Sequence, residues 1–233
     1  MLVAEAESGE VDSDAPWTSA GVSLAHISFA GGARLRDRPL RHDIVVIDDF
    51  WHDANQLRRT ALDGTFTHRC SDSGFVFHDW LAGRRHADRV ADLVSRACGA
   101  DLLQVRYESR FVFETESDEH ATRGKVWVHY DRWARVGVLY LSPPRGARGG
   151  TGFYRHKLTG FTSVHQADES GNRGLLMEHS THLLQWECIA AVPIRFNRMV
   201  LFSPHIFHQA LCYFGKQADD ARLYNIVAFD NPK

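Results

Sequence analysis

From about residue 103 onward, short β-branched and aromatic runs alternate with turn residues. LLQVRYESRFVFETES, KVWVHYDRW, VGVLYLSPP, GGTGFYRH, RMVLFSPHIFHQALCYF and RLYNIVAFD are separated by Gly, Pro or charged clusters, and each predicts β-structure. The front half has another texture. HDIVVIDDF (42–50) predicts a strand ended by Asp-Asp. Residues 52–66 carry helical spacing, with Leu57 and Ala61 on one face, and 86–100 carry a stronger stripe of Val90, Leu93, Val94 and Cys98 stopped by Gly99. Helices followed by many strands predict an α+β chain, mainly β, with N-terminal helices packed on an antiparallel sandwich or barrel. The pattern breaks at 157–195, which reads as an irregular insertion or lid in which STHLLQWECI suits a short helix. The first twenty residues are small, acidic and aperiodic, so a disordered tail is expected over 1–25. That leaves 26–233 as a single domain, with an opening section over 40–100 and a β core over 103–230.

Within the β-rich half, VWVHYDRW (126–133) poses a chemical question. A strand turns residues i and i+2 to one face, so Trp127, His129 and Asp131 point one way and Val126, Val128 and Tyr130 the other. An imidazole and a carboxylate on one face either grip a metal or bond to each other; a charge there is costly without a partner.

Composition narrows the classes. The chain has 233 residues, 44% of them hydrophobic, enough for a sizeable core. Its net charge of −2, from 27 basic and 29 acidic residues, leaves no footprint for nucleic acid or an anionic membrane. MLVAEAESGEVDSDAP lacks the basic start and apolar run of a secretory signal, and no apolar stretch is long enough to span a bilayer. Cys70, Cys98, Cys188 and Cys212 are scattered without a CxxC, as expected of free thiols in a reducing, cytoplasmic setting.

With 14 histidines, about one His-x-Asp is expected by chance, so the motif alone is weak. A second copy, His86-Ala-Asp88, opens a helix, where i and i+2 do not face each other and Asp88 simply favours the N-terminal dipole. His129 and Asp131 have more downstream. A two-histidine, one-carboxylate site on Fe(II) needs one further imidazole, and LFSPHIFHQA offers His205 and His208. If 2-oxoglutarate occupies the open positions, its distal carboxylate needs a cation. Arg222 opens a strand otherwise lined by Tyr224, Ile226 and Ala228, where a buried guanidinium lacks another obvious partner.

The order HYD, VLYLSPP, GGTGFYRH, NRMVLFSPHIFHQALCYFG, RLYNIVAFD resembles the 2-oxoglutarate/Fe(II) oxygenase superfamily, and most closely its prolyl-4-hydroxylase-like branch, in an uncharacterised bacterial subfamily with HYDRW and GGTGFYRH blocks. The similarity covers roughly 40–230, including IVVIDDFWHDANQLRRTAL. It implies a double-stranded β-helix, a distorted jelly roll. It also implies His129, Asp131 and His208 as iron ligands and Arg222 as the holder of the 5-carboxylate. The resemblance also favours His208 over His205, because the family's distal histidine precedes its arginine by about this spacing. The implied reaction is oxidation, most simply hydroxylation, of an unactivated C–H bond with O₂ as co-substrate and release of succinate and CO₂. By the same resemblance, a carboxylate at 131 argues against halogenation, since in the halogenating relatives a small residue replaces it.

Further residues carry a sharp and a bland reading together. Tyr140 offers a hydroxyl to the 5-carboxylate or packs in the core. Trp127 walls a substrate pocket or merely packs, and His205 lines the site or follows a turn at Pro204. Of Arg155 and His156, adjacent on a strand, one points inward toward substrate. Gly149 and Gly150 permit a tight turn, His179 and His182 fit a surface or lid, and Asn197-Arg198 fits a turn. The expected partner is a small molecule such as an amino acid, a peptide or a specialised metabolite, with no nucleic acid and no membrane. The rival readings are hydroxylation of a protein side chain, a non-catalytic jelly-roll binding protein, and a zinc hydrolase on the same ligands.

Overall fold

The computed structural model describes residues 24–27, 44–71, 75–98, 102–103, 105–123 and 128–230. The expected tail thus lies outside the described residues, save for its last two positions. Eight strands form one antiparallel sheet: β1 (Leu24–Ile27), β2 (Ile44–Ile47), β3 (Thr67–Cys70), β4 (Val76–Leu81), β5 (Tyr107–Glu114), β6 (Arg135–Tyr140), β9 (Met199–Phe202) and β11 (Arg222–Phe229). Their order is β1-β2-β9-β6-β11-β5-β4-β3. A smaller antiparallel sheet has β7 (Gly150–His156) between β10 (His208–Ala210) and β8 (Trp186–Pro193). The helices are α1 (Ala54–Leu62), α2 (Arg84–Cys98), α3 (Glu116–Arg123), α4 (Val164–Glu169) and α5 (Arg173–His179). The chain is therefore mainly β with a few helices, and no helix among the described residues is long and apolar enough to cross a membrane.

The period of two along each strand sorts the core into layers. In β2, Val45 and Ile47 join α1 (Leu57, Ala61) and α2 (Val90, Val94) in one cluster, while Ile44 and Val46 join Phe153 of β7 and Val192 of β8 in another. This is why IVVI is apolar at every position: the large sheet is covered by helices on one face and by the small sheet on the other. Each fully buried Leu, Ile or Phe in these layers contributes roughly 1.5–3 kcal/mol. A third cluster, with Val164, Ala167, Leu176, Trp186 and Phe207, seats α4 and α5 against the small sheet.

Asn197 and Arg198, expected merely as a turn, lock β9 to the opening section. Asn197 adopts φ 64°; its side-chain carbonyl accepts from Trp51 N at 2.8 Å and its amide donates to Trp51 O at 2.9 Å. Arg198 meets buried Asp48 at 2.6 Å and Arg195 meets it at 2.7 Å. Burial works to raise the Asp48 carboxyl, but the two guanidinium groups prevail and lower it. Gly150, at φ 149°, is obligatory in the turn into β7: a Cβ there would stand 2.0 Å from Val192 O.

Several expectations need correction. KVWVHYDRW does not run as a strand through its described part: residues 128–134 make only an isolated bridge, His129 to His208, before β6 begins. Residues 157–195 are not irregular, for they hold α4, α5 and β8, and STHLLQWECI has only a 3-10 turn (Leu183–Gln185) before its strand. Strands β3 and β4 and helix α3 were not read from the pattern at all. THRC is exposed throughout and shows no apolar alternation, while α3 is mostly polar, with Thr115 and Asp118 bonded at its start.

Candidate metal centre and its cavity

His129 and His208 form a directly opposed antiparallel pair. His129 N donates to His208 O at 3.0 Å and His208 N donates to His129 O at 2.9 Å, so both imidazoles leave on one face, with centroids 4.3 Å apart. Asp131 is fixed by its own amide, which donates to Pro204 O at 2.8 Å. The ligand atoms of His129, Asp131 and His208 all lie within 4.8 Å of one another. His205 stands outside this cluster, with its ring 4.4 Å from that of His165. Burial, and then His165, lower its pKa.

The bonding of His208 tests whether the three suit a metal. Its Nδ1 lies 2.7 Å from the carbonyl of Ile206, which can only accept, so Nδ1 carries the proton. Neutral His208 then presents a lone pair on Nε2, 3.4 Å from Asp131 Oδ2. Two lone-pair atoms facing each other need a cation between them, either a proton on the imidazole or a metal ion. Burial pushes the Asp131 carboxyl up, but His208, His129 and His205 together bring it down to about 2. The carboxylate is thus ionised across the neutral range, as a ligand must be. The ring of Phe75, 4.4 Å from that of His129, closes one side.

The cluster opens into a cavity of about 960 Å³ that Arg222 also lines. Arg222 is 3% exposed, yet it does not lack a partner as the strand pattern suggested: it is ion-paired to buried Glu114, directly opposite on β5. The charge is therefore balanced within the protein, and burial of the guanidinium does not by itself demand an anionic ligand. One donor is left over, since Arg222 Nε is buried with no hydrogen-bond partner. Tyr213 and Tyr224 line the same part of the wall and bond to Glu114. Glu114 and Tyr213 were not singled out from sequence, and Tyr224 was placed on the strand of Arg222 but given no role. The register between β11 and β5 is the missing information for Glu114, and the period of two from Arg222 was the available signal for Tyr224.

Of the other expected site residues, Tyr140 stays beside Arg222, whose guanidinium lies 5.8 Å from its ring, while Arg155 and His156 separate from the cavity. Tyr140 is fully buried and does not line the cavity; its hydroxyl shares a 2.7 Å hydrogen bond with that of Thr151, which does. Arg155 points outward to Glu187 on β8, at 2.7 Å, so it is not a substrate residue of this cavity. His156, its inward neighbour, is fully buried, but its Nε2 meets His179 Nδ1 at 2.8 Å and its Nδ1 meets Thr159 Oγ1 at 2.9 Å, outside the cavity wall. His179 is accordingly half-buried rather than a surface residue. His86 bonds to Asn225 on the helix side, and Trp127 lies outside the described residues. Helices α4 and α5 contribute Val164, Ala167, Arg173 and Leu176 to the wall.

A model described as "Family of unknown function (DUF6445)" matches residues 34–221. No curated protein matches the sequence. Among solved structures, the chain is similar to the non-heme alpha ketoglutarate dependent epimerase SnoN from nogalamycin biosynthesis, at 15% identity over 81% of this chain and 78% of that one, TM-score 0.50. It is also similar to HygX from Streptomyces hygroscopicus with nickel, 2-oxoglutarate and hygromycin B bound (11% identity, 81% and 82% covered, TM-score 0.49) and to a Pseudomonas putida prolyl-4-hydroxylase (14% identity, 83% and 95% covered, TM-score 0.46). At such identities the likeness is one of fold.

Proposed function

This chain belongs to that family of unknown function, and we propose that it is an Fe(II)- and 2-oxoglutarate-dependent oxygenase on a double-stranded β-helix, acting on a C–H bond of a small molecule, most simply by hydroxylation. The observation that carries the reading is the convergence of His129, Asp131 and His208, with Nε2 of His208 aimed at the carboxylate, in a cavity that also holds a buried arginine with a spare donor. The fold shared with an alpha ketoglutarate dependent epimerase agrees with it.

In this reading His129, Asp131 and His208 would hold Fe(II), a donor set suited to that ion. With 2-oxoglutarate and O₂, the iron supplies oxidation of an unactivated C–H bond with release of succinate and CO₂. The protein's own groups do the rest. Arg222 receives the 5-carboxylate through the donor that Glu114 leaves free, and Tyr213 and Tyr224 stand beside it. Asp131 retains the carboxylate that a halogenating site gives up. Helices α4 and α5, through Ala167 and Leu176, form one side of the cavity wall.

The lining supports a small-molecule substrate. It carries five arginines (69, 110, 132, 173 and 222) against four carboxylates (Asp79, Glu108, Glu114 and Asp131), among aromatic and aliphatic groups. That near balance suits a polar small molecule rather than a polyanion. The deciding experiment is anaerobic titration with Fe(II) and 2-oxoglutarate, followed by visible absorption. A weak metal-to-ligand charge-transfer band, and succinate release on screening substrates, is the expected result. Iron bound without the band overturns the co-substrate assignment in favour of a zinc hydrolase or a non-catalytic binding protein. Succinate released only with a polypeptide moves the substrate to a protein side chain.

A further inference from the structure

A second cluster lies on the opposite face of the large sheet, away from the cavity. Arg69 of β3 and Phe77 and Asp79 of β4 line the cavity; by the period of two, His68 and His78 leave on the other face. These two histidines are directly opposed in the β3–β4 pair, with ring centroids 4.9 Å apart. Helix α3 packs over them through Val76 N, which donates to Thr122 Oγ1 at 3.0 Å, and it brings Asp118 to the same spot. The ligand atoms of His68, His78 and Asp118 all lie within 4.8 Å of one another.

The carboxylate of Asp118 is 6% exposed and divides its work. Oδ2 accepts from Thr115 N and from Thr115 Oγ1, both at 2.8 Å, and so caps α3. Capping accounts for that oxygen and leaves Oδ1 aimed at His78 Nε2, 3.5 Å away. This separation is long for a hydrogen bond. It is close to the roughly 3.3 Å between two ligand atoms that each sit about 2.0–2.1 Å from one tetrahedral ion. The His78 ring is held in that direction by stacking on Phe113, at 4.4 Å and 4°.

We propose that His68, His78 and Asp118 form a second divalent-metal site, of the zinc class, that ties the β3–β4 edge to α3. Two imidazoles and a carboxylate suit Zn(II), with water completing the set. The tie has a structural use. β3 is an edge strand exposed along its whole length, and the sheet edge it forms carries part of the cavity wall. The site is independent of the oxygenase reading.

The test is calorimetric titration of the metal-free full chain with Zn(II), circular dichroism confirming the fold of each variant. The wild type binds two equivalents, and the His129→Ala/His208→Ala protein, without the cavity cluster, binds one. Adding His68→Ala, a substitution at an exposed position, weakens that remaining equivalent by about tenfold or more. His68→Ala alone weakens one of the wild type's two equivalents by the same factor. No zinc bound by the cavity-deleted protein, or one equivalent untouched by both His68→Ala and His78→Ala, overturns the proposal.

Discussion

The Arg222 guanidinium and the Glu114 carboxylate are ion-paired directly across β11 and β5, with side chains only 4% and 8% exposed, in the wall of the cavity. Such a pair is asymmetric in its consequences: a buried partner left alone costs more than the pair contributes. Arg222→Ala is therefore expected to lower stability by about 3–5 kcal/mol as well as to raise the 2-oxoglutarate KM. Adding Glu114→Ala recovers part of the stability and none of the KM. Denaturant melts and succinate-release kinetics on the single and double variants separate the two effects. An unchanged KM in a folded Arg222→Ala protein removes the arginine from the co-substrate site.

Glu114 competes for the cation that a bound dicarboxylate needs. Burial raises its pKa even against the lowering by Arg222, and a second carboxylate on the same guanidinium raises it further. The expected outcome is proton uptake when 2-oxoglutarate binds, seen as a buffer-dependent binding enthalpy. In Glu114→Gln the uptake disappears and the affinity increases severalfold. Binding with the same enthalpy in buffers of different ionisation heat would remove Glu114 from the linkage.

His129 is held by its main chain, through the two hydrogen bonds to His208, and its side chain is half-buried. His129→Ala should abolish turnover and weaken Fe(II) binding while the far-UV circular dichroism stays unchanged. Normal turnover by the variant would take His129 out of the metal shell.

Two histidines, His156 buried and His86 half-buried, carry a pH dependence with a definite sign. Burial, and then His179, lower the pKa of His156; burial is likewise the largest influence lowering that of His86. The folded chain then takes up protons at lower pH than the unfolded chain, whose histidines titrate near 6.5. Their contribution is complete above about 6.5 and is lost as pH falls toward the depressed values, at up to about 1.4 kcal/mol per pH unit for each group. Tm measured from neutrality downward is expected to fall in this window, and His156→Gln to flatten part of the slope. A Tm independent of pH between 7 and about 5 contradicts the assignment.

Sequence pattern revealed the layers more readily than the connections between them. IVVI and VGVLY are apolar at nearly every position because both faces of the large sheet are covered, and such runs are legible. The surface edge was not: THRC buries nothing and left no periodicity to find. That His129, Asp131 and His208 converge was reachable, the first two from short-range spacing and His208 from the family resemblance. Glu114 was not, because its meeting with Arg222 depends on a register between residues 108 positions apart. Asn197 and Arg198 looked like a turn and nothing more; their hold on Trp51 and Asp48 spans 146 and 150 positions. Arg155 and His156 show the limit from the other side. Alternation identified that one faces inward, but not that a histidine on α5 waits there to occupy it.

The reciprocal bridge between His129 and His208 joins segments 79 residues apart in the chain, one ahead of β6 and the other on the small sheet. A divalent ion bound to both imidazoles closes the same loop as those two peptide hydrogen bonds. Its affinity is then drawn in part from the docking of one sheet on the other, since the unfolded chain has no assembled set of ligands. On the proposed metal assignment, capture of the ion would follow the docking of the two sheets, and its release would report how firmly they are seated.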